Sequence, residues 1–352
     1  MSKTKFYLRP LGILNKKDGS LLIKKDQAFI VNGFYFTHIE LISRNKLIKK
    51  KTYQFSDFKK ILEKKKKIRD LFANLSYKNN KIEKILFKNK RFSIFGILNI
   101  TPDSFSDGGE NTDLKKAVNY AQQMQENGAS FIDIGGESTR PGADEVSPQE
   151  EIKRVLPVIQ KLDHKSVNIS LDTRNSSTMK FGILSGVKII NDVSGLNHDE
   201  KSVDIVRKYN IPVIVMHMPG NPKNMMKKNK YFDVVLDVYD YLEAKTDSLI
   251  NSGVKRENII IDPGIGFGKD YLQNLDLLRN ISIFHSLGFQ IMLGVSRKRF
   301  IDSISKESNP KNRIGGTISA TLFGMSNGIR IHRVHDVRDV NQALMIFDKM
   351  MN

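Results

Sequence analysis

Two residues near the C-terminus and two earlier in the chain have the chemistry of an anion site. Arg333 and His335 stand two apart, so on a β-strand both side chains point to the same face and suit a phosphate group. Asn99 ends an apolar run and offers an amide oxygen, and Arg140 lies in a stretch rich in Gly and Pro. These residues predict a site for an anion with oxygen ligands, together with a hard cation.

A second group carries carboxylate and amide groups. Asp172, Asn191 and Asp262 each end or follow a short apolar run. A carboxylate that accepts two parallel N–H bonds is what an aminopyrimidinone-type ring needs, and Lys298 could meet a carbonyl or nitrogen atom of that ring. His217 leaves two interpretations open: a packed, hydrogen-bonded imidazole or a catalytic one.

Other kinds of chemistry lack their usual signals. The chain has no cysteine, which excludes a disulfide framework and a thiolate metal site. We find no His, Asp and Glu spacing typical of a tight zinc site, and no nucleophile elbow. No apolar run approaches the roughly 18 residues that a membrane span needs. The N-terminus lacks the apolar core of a signal peptide, so we expect a cytoplasmic protein without a membrane partner.

The polar residues stand at the ends of eight apolar runs that alternate with helical patterns. The runs that predict strands are 94–100, 130–134, 167–171, 188–190, 212–216, 258–261, 290–294 and 328–334. The patterns that predict helices are 114–126, 148–162, 176–184, 202–208, 234–250, 272–287, 313–326 and 337–350. Eight such units predict an α/β fold, a (β/α)8 TIM barrel, in which every strand end meets at one mouth. An open doubly wound sheet is the alternative, although it would have fewer units and a Gly-rich first turn.

The charge divides the chain into two parts. Residues 1–92 hold 25 Lys and Arg against 7 Asp and Glu, whereas residues 93–352 hold 32 against 31. We predict that 1–92 is a small basic N-terminal extension, β-rich with a helix, and that 93–352 is the barrel. A hairpin at Asn32-Gly33 and a helix over 55–75 are expected in the extension. The lysine run 64–67 fits a solvated surface better than a nucleic-acid contact, because no pattern of stacking aromatics accompanies it.

Eight segments from about Phe95 to the C-terminus match a known family in order. They read GILNITPDSFSDGG, IDIGGESTRPGA, ISLDTR, IINDVSG, MHMPGNPKNM, IIIDPGIGFGK, GVSRKRF and RVHDV. The chain therefore resembles dihydropteroate synthase, a pterin-binding family. The resemblance implies a transferase of folate biosynthesis that condenses 6-hydroxymethyl-7,8-dihydropterin diphosphate with 4-aminobenzoate. It also implies Mg²⁺, sulfonamides as competitors of 4-aminobenzoate, and a homodimer.

The same resemblance implies roles for individual residues. The pterin would be held by Asp172, Asn191, Met216, Asp262, Phe267 and Lys298. The diphosphate would contact Asn99, Thr139, Arg333 and His335, with Asn99 also a ligand of Mg²⁺. The 4-aminobenzoate site would be formed by Phe105, Arg140, Pro141 and Ser296. Asp107, Asp172 and Lys298 would take part in catalysis, whereas His332 is assigned no role because it points opposite to Arg333.

Two other functions stay open at this level. A pterin-dependent methyltransferase would share the barrel and some of the Asp and Asn positions, but would ignore 4-aminobenzoate. In a non-enzymatic alternative, residues 1–92 would bind nucleic acid and the barrel would be an inactive scaffold. The intact set of polar strand ends argues against that alternative, so a nucleic-acid partner is not expected.

Overall fold

A computed structural model of the chain describes residues 4–76, 80–88, 90–101, 110–138, 142–164, 166–228 and 230–352. The part before the barrel contains β1 (Lys5–Leu14), α1 (Lys16–Lys24), β2 (Phe29–Val31), β3 (Phe34–Arg44), β4 (Ile48–Gln54), α2 (Phe55–Lys64), α3 (Lys66–Leu75) and α4 (Asn80–Phe87). β3 is the central strand. It pairs antiparallel with β1 along one side and with β2 and then β4 along the other.

The hairpin at Asn32-Gly33 is confirmed. Both residues have positive φ, +51° and +82°, as the tightest hairpin turns require. The single helix expected over 55–75 was wrong, because Lys65 is extended (φ −126°, ψ 95°) and separates α2 from α3. That break lets Phe58 on α2 and Ile68 on α3 both become fully buried. The extension also has two further helices, α1 and α4, that the sequence pattern did not predict.

The second part is the predicted (β/α)8 barrel. Its strands are β5 (Ser93–Asn99), β6 (Phe131–Gly135), β7 (Ile169–Asp172), β8 (Ile189–Asp192), β9 (Val213–Met216), β10 (Ile259–Asp262), β11 (Gln290–Leu293) and β12 (Ile331–Val334). All of them are parallel and follow one another around the barrel, which closes where β12 pairs with β5. The open doubly wound alternative is therefore wrong.

Helices surround these strands. They are α5 (Glu110–Glu126), α6 (Pro148–Lys161), α7 (Ser176–Leu184), α8 (Ser202–Tyr209), α9 (Val234–Asn251), α10 (Tyr271–Arg279), α11 (Arg299–Ser305), α12 (Ile314–Met325) and α13 (Val337–Met351). The short α11 was not predicted. The helix expected over 272–287 is α10 followed by a 3-10 helix, Ile281–Leu287. Every residue of that 3-10 helix is buried, so no polar face marks where α10 ends. None of the described helices is long and apolar enough to cross a membrane.

The extension docks its sheet on this 3-10 helix and on α9. Tyr7 of β1 meets Tyr239 edge to face, with ring centroids 5.0 Å apart. On α9, Asp240 accepts from the Tyr7 hydroxyl at 3.0 Å, and Asp237 lies 2.7 Å from Arg44 of β3. The acidic side of α9 therefore neutralises part of the positive charge of the extension. The lysines of β4, Lys49–Lys51, are exposed on an edge strand, where charge opposes pairing with another sheet.

Helix α4 closes the end of the barrel at which the strands begin, which we call the lower end. Its Ile82, Leu86 and Phe87 are at most 3% exposed. They form one apolar cluster with the inward residues near the amino ends of the strands: Phe95, Phe131, Ile189, Ile214, Ile260, Met292 and Ile331. The ring of Phe87 also lies 3.7 Å below the guanidinium of Arg330, which pairs with Glu83. The last helix of the extension thus completes the core of the barrel.

Candidate active site

Alternate residues of each barrel strand point inward, and the character of these residues changes along the barrel. The inward residues near the amino ends form the apolar cluster that packs against α4. Further along the strands, two positions on or, for Asn99, four, the side chains that alternation places inside are mostly polar or charged. They are Asn99, Asp133, Asp172, Asn191, Met216, Asp262 and Arg333. Burying such groups costs free energy unless they are paired or bind a ligand.

Arg333 joins two carboxylates across this mouth. Its Nε donates to Oδ2 of Asp133 at 2.6 Å, and its Nη2 donates to Oδ2 of Asp172 at 2.7 Å. The amide of Asn191 donates to the same Asp133 oxygen at 3.0 Å. The two acids are buried, whereas the Arg333 side chain is 18% exposed. One guanidinium therefore neutralises two acids from neighbouring strands.

Burial dominates the proton affinity of these acids. It raises the pKa of Asp172 to about 7, although the Arg333 guanidinium opposes this rise. Burial also raises the pKa of Asp262 to about 6, against the N–H of Gly264 and the charge of Lys298. For Arg333, burial acts downward, but Asp133 and Asp172 outweigh it and raise the guanidinium pKa. Keeping these acids ionised therefore costs free energy, and a cationic ligand or one rich in N–H donors would lower that cost.

The loop after β10 fixes Asp262 and an aromatic wall. Oδ1 of Asp262 accepts from the backbone N–H of Gly264 at 2.7 Å. Gly264 has φ +70°, and a Cβ there would lie 2.0 Å from the carbonyl oxygen of His217, so only glycine fits. Further along this loop, the ring of Phe267 lies 4.0 Å from Nζ of Lys298. That contact orients the lysine over the mouth.

An apolar patch lines the same side of the mouth. Met216 at the end of β9 clusters with three buried neighbours and with the partly buried Phe267; the three are Val193, Met218 and Met225. The polar strand ends and this patch together form a pocket for a flat ring that has hydrogen-bonding edges.

Behind the mouth, further buried pairs hold the strand ends. Arg174 donates from Nε and Nη2 to both oxygens of Glu137, at 3.0 and 2.7 Å. Glu151 accepts from three side chains that follow β7: Thr173, Asn175 and Thr178. At the other side, Oγ of Ser296 lies 3.0 Å from Nδ1 of His335, and the His335 N–H donates to the same oxygen. These contacts fix the backbone from which the mouth residues project.

Comparison with known proteins agrees with this geometry. The family model described as "Pterin binding enzyme" matches residues 95–335. The dihydropteroate synthase of Bacillus subtilis is 41% identical over 260 residues, which cover 74% of this chain and 88% of that protein. The synthase of Synechocystis is 40% identical over 74% of this chain and 91% of its own length.

The chain belongs to the pterin-binding family, among the dihydropteroate synthases. Solved structures of the family superpose on it. The Xanthomonas albilineans synthase with 4-aminobenzoic acid has a TM-score of 0.69 and 37% identity, over 73% of this chain and 92% of that chain. The Yersinia pestis synthase in a sulfonamide complex also has a TM-score of 0.69 and 37% identity, over 73% and 94%. Residues before 95 lie outside the match to the family model.

Within this synthase fold, the structure brings many of the site residues named from the sequence to one mouth. Arg333, Asp172 and Asn191 form the bonded network, and Asp262, Met216, Phe267 and Lys298 lie beside it. Asn99 ends β5 on the inward side, and Ser296 contacts His335. His332 is fully buried and faces α12, where a Cβ on Gly324 would lie 3.8 Å from its ring. The remaining named residues, Phe105, Asp107, Thr139, Arg140 and Pro141, lie outside the described residues.

Sequence reasoning missed two residues of the mouth. Asp133 was not proposed for the site, yet it bonds to both Arg333 and Asn191. The signal was present, since Asp133 is two residues from the inward Phe131 on the same strand. Lys269 was also missed; it is 3% exposed and its Nζ contacts His217. The structure gives His217 a packed position, because its ring lies edge to face with Tyr241 at 4.7 Å.

Proposed function

We propose that the chain condenses 6-hydroxymethyl-7,8-dihydropterin diphosphate with 4-aminobenzoate, giving 7,8-dihydropteroate and pyrophosphate. The observation that carries this proposal is the contact of one guanidinium with the buried carboxylates of Asp133 and Asp172. The 2-amino and N3–H groups of a pterin ring form an edge with the same N–C–N arrangement as a guanidinium. A pocket that accepts N–H bonds from Arg333 is therefore suited to the pterin edge.

This similarity suggests how the substrate would enter. In the ligand-free chain, Arg333 supplies the N–H donors that the buried acids need. When a pterin ring donates to the buried carboxylates and to Asp262, Arg333 can exchange its carboxylates for oxygens of the diphosphate. His335 stands two residues after Arg333, beyond the end of β12, and would bind the same group. The ring would rest against Met216 and Phe267, with Lys298 over its edge.

The chemical step then follows from charge. The C–O bond between the pterin methylene carbon and the diphosphate breaks, and its electron pair leaves with pyrophosphate. Arg333 and His335 stabilise the negative charge that develops there, while the Asp172 carboxylate stabilises the ring-delocalised cation. The neutral amine of 4-aminobenzoate forms the C–N bond and then loses a proton. The loop residues Phe105, Asp107, Arg140 and Pro141, with Ser296, remain our proposal for the second substrate site, which must exclude water.

We also propose Mg²⁺ as the cofactor. Among the described residues, no group of three or more His, Cys, Asp and Glu could hold a metal ion. Mg²⁺ commonly binds through one or two protein oxygens, substrate phosphates and water. The amide oxygen of the half-buried Asn99 fits that limited protein contribution. When bound, the ion would neutralise charge on the departing diphosphate.

An assay of pyrophosphate release tests the function. We expect release to require both the pterin diphosphate and 4-aminobenzoate, and dihydropteroate to form in equal amount. A sulfonamide should raise the KM for 4-aminobenzoate without changing the maximal rate. Methyl transfer to a thiol acceptor, with no requirement for 4-aminobenzoate, would instead support a pterin-dependent methyltransferase.

The pH dependence of pterin binding follows from Asp262. Only its ionised form offers both oxygens as acceptors of N–H bonds, and burial raises its pKa to about 6. As the pH falls through about 6, the protonated fraction grows and binding weakens. Asp172, whose pKa burial raises to about 7, is protonated first. We therefore expect kcat/KM for the pterin diphosphate to begin to decrease near pH 7 and to fall at least about tenfold per pH unit below about 6, since kcat/KM reports the free enzyme. Measurement between pH 5 and 8 checks this, and a flat profile down to pH 5 would contradict it.

We further propose a homodimer formed through α12 and α13. These helices expose large apolar side chains, which are Phe323, Met345, Ile346 and Met350. A second copy of the same surface would bury them. Sedimentation that gives the 40.1 kDa of a single chain at micromolar concentration would contradict this proposal.

A further inference from the structure

Lys269 is a buried lysine whose ammonium form depends on its hydrogen bonds, because burial lowers its pKa to about 7, against the charge of Asp262. It lies near the end of the loop between β10 and α10 and is 3% exposed. An ammonium group has three N–H donors, and burying it is costly unless each finds an acceptor. Nζ of Lys269 lies 2.9 Å from the carbonyl oxygens of Gly264 and Phe267, and 2.9 Å from Nδ1 of His217. The three donors therefore have three acceptors at 2.9 Å, and the carbonyl oxygen of His217 lies further away, at 3.5 Å.

His217 supplies the third acceptor from a different loop. It directly follows β9, and its backbone N–H donates to the carbonyl oxygen of Asp262 at 2.9 Å. For Nδ1 to accept from Lys269, the imidazole must be neutral, with its proton on Nε2. Burial and the neighbouring Lys269 charge both favour this form, since they lower the His217 pKa well below its usual range. The lysine thus connects the β10–α10 loop to the β9–α9 loop.

Both carbonyl groups held by Lys269 belong to residues that shape the mouth. The N–H of Gly264 holds the carboxylate of Asp262, and the ring of Phe267 lies under Lys298. The two loops approach so closely that a Cβ on Gly268 would lie 2.3 Å from Pro219. A shift of the β10–α10 loop would therefore move the acceptor and the aromatic wall of the pocket together.

We propose that Lys269 and His217 are a positioning pair that sets the geometry of the pterin-binding loop. Neither residue needs to touch the substrate. Their function is to hold Asp262 and Phe267 where the pterin ring meets them. This inference rests on the proposed function, since it assigns the pair to the pterin half of that reaction and not to the 4-aminobenzoate half.

Two substitutions of His217 separate positioning from packing. His217→Leu removes the acceptor, whereas His217→Asn places an amide oxygen close to the position of Nδ1. We expect His217→Leu to raise the KM for the pterin diphosphate about tenfold, the loss that one hydrogen bond to a charged group commonly brings. The KM for 4-aminobenzoate should stay unchanged, and His217→Asn should recover the wild-type KM to within about threefold. Lys269→Met should reproduce the effect of His217→Leu.

His285 offers a matched control. It is also a buried, neutral histidine, 2% exposed, but it lies in the 3-10 helix Ile281–Leu287 and bonds to the backbone of Asn327. His285→Leu should lower thermal stability without changing either KM. If His217→Leu behaves in the same way, or if His217→Asn fails to recover pterin binding, the positioning proposal is overturned. If the wild-type chain makes no dihydropteroate, the proposed function fails instead, which the same assay shows separately.

Discussion

Arg333→Met is expected to lower kcat/KM for the pterin diphosphate by at least about a hundredfold. The substitution removes the cation that we propose for the leaving group, and charge-assisted contacts to phosphate are among the strongest hydrogen bonds in proteins. It also leaves Asp133 and Asp172 buried without their shared partner. Steady-state kinetics with the pterin diphosphate as the varied substrate measures the first effect.

The loss of stability should depend on pH, with a definite sign. The folded-state pKa of Asp172 is already above its usual value, about 7, and loss of the guanidinium raises it further. A folded state that binds more protons than the unfolded state loses stability as the pH rises. Arg333→Met should therefore be destabilised more at pH 8 than at pH 5.5. At pH 8 we expect its free energy of unfolding to be lower by about 3 kcal/mol or more, as when one partner of a buried pair is removed. Denaturant titrations at the two pH values measure the difference.

Two further variants serve as controls. Arg330→Met removes an arginine that immediately precedes the same strand, where it pairs with Glu83 at the lower end of the barrel. It should leave the KM for the pterin diphosphate unchanged. Adding Asp133→Asn to Arg333→Met should restore part of the stability but not the activity. Wild-type kinetics for Arg333→Met would contradict the proposed role of Arg333 at the diphosphate. Equal destabilisation at pH 5.5 and 8 would contradict an electrostatic cause of the stability loss.

A chain that starts at Arg91 is expected to be insoluble or to unfold at a temperature lower by at least about 10 °C. Removing α4 exposes the inward apolar residues at the lower end of the barrel to water. Burial of Ile82, Leu86 and Phe87 contributes about 2 kcal/mol each, so their loss takes away about 6 kcal/mol. That is a large part of the 5–15 kcal/mol by which proteins of this kind are commonly stable. Thermal unfolding followed by circular dichroism checks the expectation.

A second truncation and a matched pair of point variants locate the effect. A chain that starts at Asn80 keeps α4 and should be more stable than the one that starts at Arg91. Leu86→Ala should cost about 2–5 kcal/mol, because it leaves a cavity in the core. Lys84→Ala, at an exposed position of the same helix, should change stability by less than about 0.5 kcal/mol. Full stability of the chain from Arg91 would show that the extension is dispensable.

The sequence by itself determined the repeating plan of the barrel. Eight buried parallel strands read as short apolar runs, and each run ends in polar residues because those ends face the mouth. The family followed from the order of these strand-end segments. The hairpin at Asn32-Gly33 was also readable, since few residue pairs accept positive φ at both positions. These features depend on the residue types within one short segment, so they can be predicted without knowing which distant residues that segment contacts.

Tertiary structure alone decided how the polar residues pair. The sequence placed Arg333 with a diphosphate, but only barrel closure brings it within 2.7 Å of Asp172, which lies 161 positions away. Lys269 gave no signal as a site residue, because its partner His217 belongs to another loop. α4 was missed for a related reason. Its apolar residues are buried only when the barrel has formed, because they pack on the inward residues at the amino ends of the strands. The physical reason is the same in each case. A buried polar group needs a hydrogen-bond partner and a buried apolar side chain needs apolar neighbours, and here both come from residues far away in the sequence.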